Sequence, residues 1–279
     1  MRTTEHTPSS VTPVAPAAFR VPVPPRGAAL LAPAATLVAL LLVWEAGVRL
    51  GGIDAFLLPA PSRILQVLLT QPGFYAANAW RTVQETAVGF AVAMVAGLLC
   101  ALVVDTSPLA RRAVYPLLIA SQTVPVIAIA PLIIVWLGFG LAPKVVIITL
   151  YCFFPVVVSA VDGLRVADPE MLALLRSMGA TPRQLLRLAR WPAALPSVFS
   201  GVKIAATYAV TGAVVSEWLG ASEGLGVTMI RAQKSFAPDR VFAAIVVVIL
   251  LTLVLFAVID RLARVVMPWY VATRKEETA

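Results

Sequence analysis

The sequence predicts an all-α integral membrane protein with six transmembrane helices, and three observations carry that prediction. The 279 residues are 60% hydrophobic and 13% charged, too little charge to cover the surface of a soluble domain. The apolar runs are long rather than short and alternating, which favours helices over a membrane β-barrel. A single polar interval, residues 162–197, separates two of these runs and carries its own helix start and stop signals.

The spans fall at about Ala28–Val48, Val83–Val104, Pro116–Leu137, Lys144–Val161, Val198–Leu219 and Val241–Leu262. Each has roughly 18–22 residues, enough to cross a ~30 Å hydrocarbon core. The first is the least regular, with Pro33 inside it and Glu45 and Arg49 at its end. Residues 1–27 form a proline-rich tail expected to be disordered and cytoplasmic. It reads as too long and too charged to be the start of a cleaved signal peptide. Residues 49–82 read as an external segment, with a short helix from about Arg63 to Leu69 that either rests on the membrane surface or packs on neighbouring spans. Residues 83–263 make a core of five spans, and residues 264–279 a charged cytoplasmic tail. A last external segment, Glu217–Arg240, holds three glycines and a short helix around Val227–Gln233.

The formal net charge of +8 could suggest a nucleic-acid partner, but the charges are sorted by side. With the N-terminus inside, 14 of the 22 Lys and Arg residues fall on inner segments and seven on outer ones, with Lys203 at the border. That asymmetry fits the positive-inside rule with both termini cytoplasmic. Basicity here is topology. Membrane lipid is an expected partner and nucleic acid is not.

Cys100 and Cys152 lie inside spans and read as small apolar packing residues. The one histidine, His6, stands in the tail, and there is no metal-ligand spacing. No phosphate loop, His-Glu-x-x-His or Gly-x-Ser-x-Gly pattern occurs, so no catalytic site, metal or cofactor is expected.

The polar interval is the most structured part of the reading. Asp168-Pro169-Glu170 starts a helix, because Asp caps free N–H groups and Pro suits the first helical position. Met171, Leu174, Leu175 and Met178 then form one apolar stripe. Gly179 ends that helix. Thr181-Pro182-Arg183-Gln184 opens a second with a capping-box pattern; Leu185, Leu188 and Ala189 share one face of it, and Pro192 and Pro196 close it. Between membrane spans, such a helix pair gives a soluble partner something to hold.

Polar residues within spans are costly and therefore candidates to line a pathway. Gln122 and Thr123 precede Pro125, which is expected to kink the third span. Thr207 and Thr211 lie one turn apart on the fifth span, with Tyr208 beside Thr207. Glu217, near its outer end, is the best candidate for a residue at the mouth. Hydrogen bonding between helices is the competing reading for each of them. Trp136, Trp218 and Trp269 read as interfacial anchors.

Ala173-Leu174-Leu175-Arg176-Ser177-Met178-Gly179, followed by Ala189-Arg190-Trp191-Pro192, resembles the Glu-Ala-Ala loop of ABC-importer permeases, with Gly179 and Pro192 at the family's spacing. Leu58-Pro59-Ala60-Pro61-Ser62, the run from Pro131 to Gly140, and Gly220-Ala221-Ser222-Glu223-Gly224-Leu225-Gly226 extend the likeness to roughly residues 50–265. They point to the sulfonate, taurine, nitrate and thiamine-pyrimidine-precursor branch. The resemblance implies a type I importer (MetI-like) permease fold in a bacterial inner membrane, with residues 168–190 as the coupling helix between the fourth and fifth spans. It implies three partners: a cytoplasmic ABC ATPase subunit, an extracytoplasmic solute-binding protein and a second copy of the chain. Met171, Ala173, Arg176, Ser177, Gly179 and Ala180 would meet the ATPase. The family's acidic residue is replaced by Ala173, so no salt bridge is carried over there. The closest likeness is to permeases for pyrimidine precursors of thiamine, with riboflavin, nitrate, sulfonate and taurine as alternatives.

Overall fold

The computed structural model describes residues 26–269, with side chains from Leu31 onward. His6 and the expectations for the two tails beyond those limits lie outside the described residues. Every regular element in the described chain is helical. Five helices are long and apolar enough to cross a membrane, and a bent pair makes a sixth span if counted as one.

α1 (Arg26–Leu50) lies at the periphery, with Leu37, Leu40, Leu42 and Val43 exposed. Its Glu45 is tied to the start of α2 (Pro61–Thr70) by the Ser62 amide at 3.0 Å and the Ser62 hydroxyl at 2.8 Å. α2 turns Ile64 inward against Tyr75, Val214 and Ala243, so the short helix packs on its neighbours.

α3 (Pro72–Thr106) is one unbroken helix. Its first turns therefore occupy residues that hydropathy alone had left in the external segment. The third span is not continuous. α4 (Pro108–Ser121) and α5 (Val126–Leu137) meet at 99°. Pro125, in extended conformation at the start of α5, has no N–H and disfavours a helical residue before it. A helix break results rather than a kink.

α6 (Leu141–Gly163) and α9 (Trp191–Gly220) form the centre, with α3 and α11 (Pro238–Val266) against them. The interior is built from small residues and short branched ones, among them Ala93, Cys152, Val156, Ala205 and Ala209. The backbones approach closely enough that a Cβ on Gly201 would meet the Pro155 carbonyl and the Ser159 side chain at 2.5 Å. Such approach is how helices gain packing where lipid is as apolar as they are. Cys152 is fully buried, its thiol donating to the Ala205 carbonyl at 3.3 Å.

Between α6 and α9 stand α7 (Pro169–Ser177), α8 (Pro182–Leu185) and a π-helical turn, Leu186–Arg190. The second helix of the polar interval does not close at Pro192 or Pro196. It runs through the π turn into α9 as one rod, Pro182–Gly220. Trp191 N–H reaches back five residues to the Leu186 carbonyl, and the wider turn makes room for the ring of Pro192, which has no N–H to give. After α9 comes α10 (Leu225–Lys234), a short helix where one was expected around Val227–Gln233, and buried along most of its length.

Candidate functional site

The α7–α8 pair is built as its residue types dictate. The Asp168 carboxylate accepts the Glu170 N–H at 2.8 Å. At the other end Gly179 takes φ +81°, and the Ala180 and Gly179 amides donate to the Leu175 and Arg176 carbonyls, both at 3.0 Å. This is a Schellman stop, and its left-handed residue is where glycine has no steric cost. Thr181 then restarts the chain through a full capping box with Gln184: its N–H donates to Gln184 Oε1 at 2.7 Å, and its hydroxyl oxygen accepts the Gln184 N–H at 3.4 Å.

Of the apolar stripe, only Leu175 turns partly inward. Met171, Leu174 and Met178 are 53%, 61% and 75% exposed. Ala173, Arg176, Ser177 and Gly179 are exposed as well, and Ala180 is half-buried. The face predicted for the second helix is split. Leu185 and Ala189 are buried while Leu188 points outward, because the π turn carries more residues per revolution than the 3.6 that the periodicity assumed.

Arg190, at the end of that turn, joins three elements. Its Nη2 meets Asp105 Oδ1, at the end of α3, at 2.6 Å, and its Nε donates to the Leu164 carbonyl, just past α6, at 3.1 Å. Arg190 thus ties the base of α9 to the end of α3 and the end of α6. On the same rod Lys203 pairs with Asp260 of α11 at 2.5 Å.

The predicted pathway residues separate into two groups. Thr207, Tyr208 and Thr211 lie on the one open stripe of α9, with Ser200 and Ile204, while its other faces are buried. Exposure to hydrocarbon would select apolar side chains here; hydroxyls suit a water-lined face. Thr207 and Thr211 bond only to carbonyls one turn back in α9. Gln122 and Thr123 are exposed at the α4–α5 bend. Gln122 and Tyr208 share one cleft, and Thr123, Thr207 and Thr211 are outside its lining.

Glu217 is a correction. It is 1% exposed and opens onto no mouth. Its carboxylate accepts the Thr82 hydroxyl at 2.7 Å and the Gly226 N–H at 2.6 Å. Thr82 also accepts the Leu225 N–H, and Asn78 the Gly224 N–H. The free N–H groups that begin α10 are thus satisfied by α3 and α9, with the carboxylate at the positive end of the helix. A helix so capped can be buried, which hydropathy does not reveal. Beside it an ion pair joins Glu85 of α3 to Lys144 of α6, and both border a cavity of about 660 Å³ with Arg81 and Glu223. Sequence reasoning passed over this pair. The available signal was opposite charge at the same end of the second and fourth apolar runs.

A central rod with one polar stripe, packed among apolar helices long enough to cross a membrane, defines a multi-span membrane protein. The chain belongs to the family of binding-protein-dependent transport system inner membrane components, whose model matches residues 93–270. It is 38% identical to the formylaminopyrimidine transport permease protein ThiX of Halalkalibacterium halodurans, over 86% of this chain and 96% of that protein. It is 35% identical to the riboflavin transport system permease protein RibX of Chloroflexus aurantiacus, over 84% and 88%. The taurine transport system permease protein TauC of Escherichia coli matches at 30%, with the same coverage. Among solved structures, an inward-facing MetNI methionine ABC transporter aligns with a TM-score of 0.60 at 22% identity, covering 70% of this chain and 98% of that one. The fold is therefore the type I importer permease fold. The chain is the multi-pass permease component of an ABC importer, a transport part rather than an enzyme, and it works with an ATPase and a binding protein.

Proposed function

We propose that α7 is the coupling helix that the ATPase grips, that both termini and this helix face the cytoplasm, and that two copies of the chain form the channel. The observation that carries this reading is the exposed apolar face of Met171, Leu174 and Met178 on a helix flanked by the exposed polar residues Arg165, Asp168 and Thr181. An apolar patch on a soluble protrusion marks a partner surface. Ala173, Arg176, Ser177, Gly179 and Ala180 form the rest of the contact, and with Ala173 in place of an acidic residue the grip is mainly apolar. ATP-driven closure of the ATPases would move α7, and the Arg190 ties would carry that movement into the spans. Solute released by the binding protein then passes along the Thr207–Tyr208–Thr211 stripe and the bend at Gln122 and Thr123. A pyrimidine precursor of thiamine is the proposed solute, supported by the name of the 38% identical relative; riboflavin, nitrate, sulfonate and taurine are the alternatives.

The test is Gly179→Val in the assembled transporter. A β-branched residue at φ +81° costs on the order of 1–3 kcal/mol locally, enough to re-aim α7 without blocking membrane insertion. ATP hydrolysis should persist while uptake falls by roughly tenfold or more, the scale of a 1.4 kcal/mol change. Unchanged uptake, or a wild-type chain that transports without any co-purifying ATPase, would refute the coupling role. The solute is tested by the melting shift of the partner binding protein across the named candidates.

A further inference from the structure

Three polar side chains converge on one cleft. Gln122 stands at the bend after α4, Tyr151 near the middle of α6 and Tyr208 near the middle of α9. With Phe154 they line a cavity of about 320 Å³, which lies in the ~300–1,000 Å³ range of small-molecule sites. The Gln122 amide and the two phenol hydroxyls have no hydrogen-bond partner among the described residues. Against hydrocarbon such groups cost on the order of 1–3 kcal/mol each. They are therefore placed for water or for a guest.

The chemistry of the wall narrows the guest. Among the described residues that line the cleft none is charged, and the remainder are Val, Ile, Leu, Pro and one Ser. A sulfonate or nitrate leaving water would require a cation or several converging N–H donors, and this wall offers one amide and a few hydroxyls. A flat uncharged ring is better matched. Tyr151, Phe154 and Tyr208 bring three aromatic rings to the lining, and the Gln122 amide both donates and accepts, as a ring nitrogen beside an exocyclic amino group requires.

We propose that this cleft is a transit site for an uncharged, planar heteroaromatic solute, stacked on Tyr208 and read by Gln122. The proposal rests on the assignment of the α9 stripe to the solute path, and goes further in naming a site and the class of molecule it holds.

Saturation-transfer NMR on the complete transporter in nanodiscs tests it, with 4-amino-2-methylpyrimidine and taurine as probes and ATP-driven uptake followed on the same preparation. The pyrimidine ring protons should receive saturation from the protein and taurine should receive none. Tyr208→Leu and Gln122→Leu should each weaken pyrimidine binding about tenfold, one 1.4 kcal/mol step, while Tyr208→Phe keeps the ring face and most of the signal. Tyr208 and Gln122 are both exposed, so these variants should assemble, and co-elution with the ATPase checks it. A pyrimidine signal that Tyr208→Leu leaves unchanged would place the probe in lipid and overturn the site. A taurine signal in place of the pyrimidine would overturn the solute class. No pyrimidine signal from a preparation that still takes up solute would overturn the site. In each of these outcomes intact uptake leaves the path assignment standing; a pyrimidine signal without uptake of any solute removes the path instead, and with it the transit role.

Discussion

A carboxylate that hydropathy places at the rim of a membrane helix is readily taken for a mouth residue, and Glu217 illustrates why that fails. Its two oxygens are occupied by Thr82 and the Gly226 amide, and Gly224, at φ +123°, packs so close to the carboxylate that a Cβ there would collide with it. The residue is structural. Glu217→Leu keeps much of the volume but leaves the Gly226 N–H without its acceptor. We expect a loss of about 1–3 kcal/mol, the cost of leaving a buried donor unmet, read as a lower unfolding temperature in detergent and faster hydrogen exchange at Gly226. An unaltered melting curve would contradict this account. Gly224 and Thr82 were visible in the sequence, but Thr82 reaches Glu217 across 135 residues. Local pattern carries no trace of such contacts.

At the scale of elements, what was legible was what local chemistry governs. The Asp168 cap, the Gly179 stop and the Thr181–Gln184 box follow from residue type and spacing, and each stands in the structure as read. Span cores were legible because a bilayer demands long apolar runs. Three features were not. Pro125 was expected to kink a helix and instead separates two helices at 99°. Pro192 was expected to end a helix and instead sits behind a π turn. The first turns of α3 are too polar to stand out on hydropathy and are held by tertiary contacts such as Tyr75 to the Arg240 carbonyl at 3.3 Å. The π turn also positions Arg190 on Asp105 and Leu164. A lysine there retains the charge but not the two-point geometry. Arg190→Lys should cost about 1–3 kcal/mol, as for a charge-assisted hydrogen bond, and lower the number of solute molecules imported per ATP hydrolysed. Asp105→Asn should act in the same direction. Full stoichiometry in both variants would show that the tie carries no motion.

For the whole molecule, the open stripe of α9 is the feature that bears on the proposed pairing of two copies. Ser200, Ile204, Thr207, Tyr208 and Thr211 are exposed on the helix that is otherwise the most buried. A polar strip facing lipid is unfavourable, so a second copy across a water-filled gap is the arrangement that suits it. In a chain with Cys100 and Cys152 replaced by alanine, Thr211→Cys should give a dimer when a short bifunctional thiol reagent is added to membranes, and Val254→Cys, on the exposed face of α11, should not. Dimers from the α11 site alone would move the interface elsewhere. Met171 and Met178 carry a different consequence. Thioethers that face water are open to oxidation to the sulfoxide, and an unassembled subunit would carry both unshielded. Dilute peroxide should therefore modify these two methionines in the lone permease and spare them once the ATPase is seated, so that mass spectrometry of two residues counts orphan subunits directly. In a cell, the same greasy patch would label a permease made in excess of its ATPase as surplus, a target for proteolysis before it reaches a working transporter.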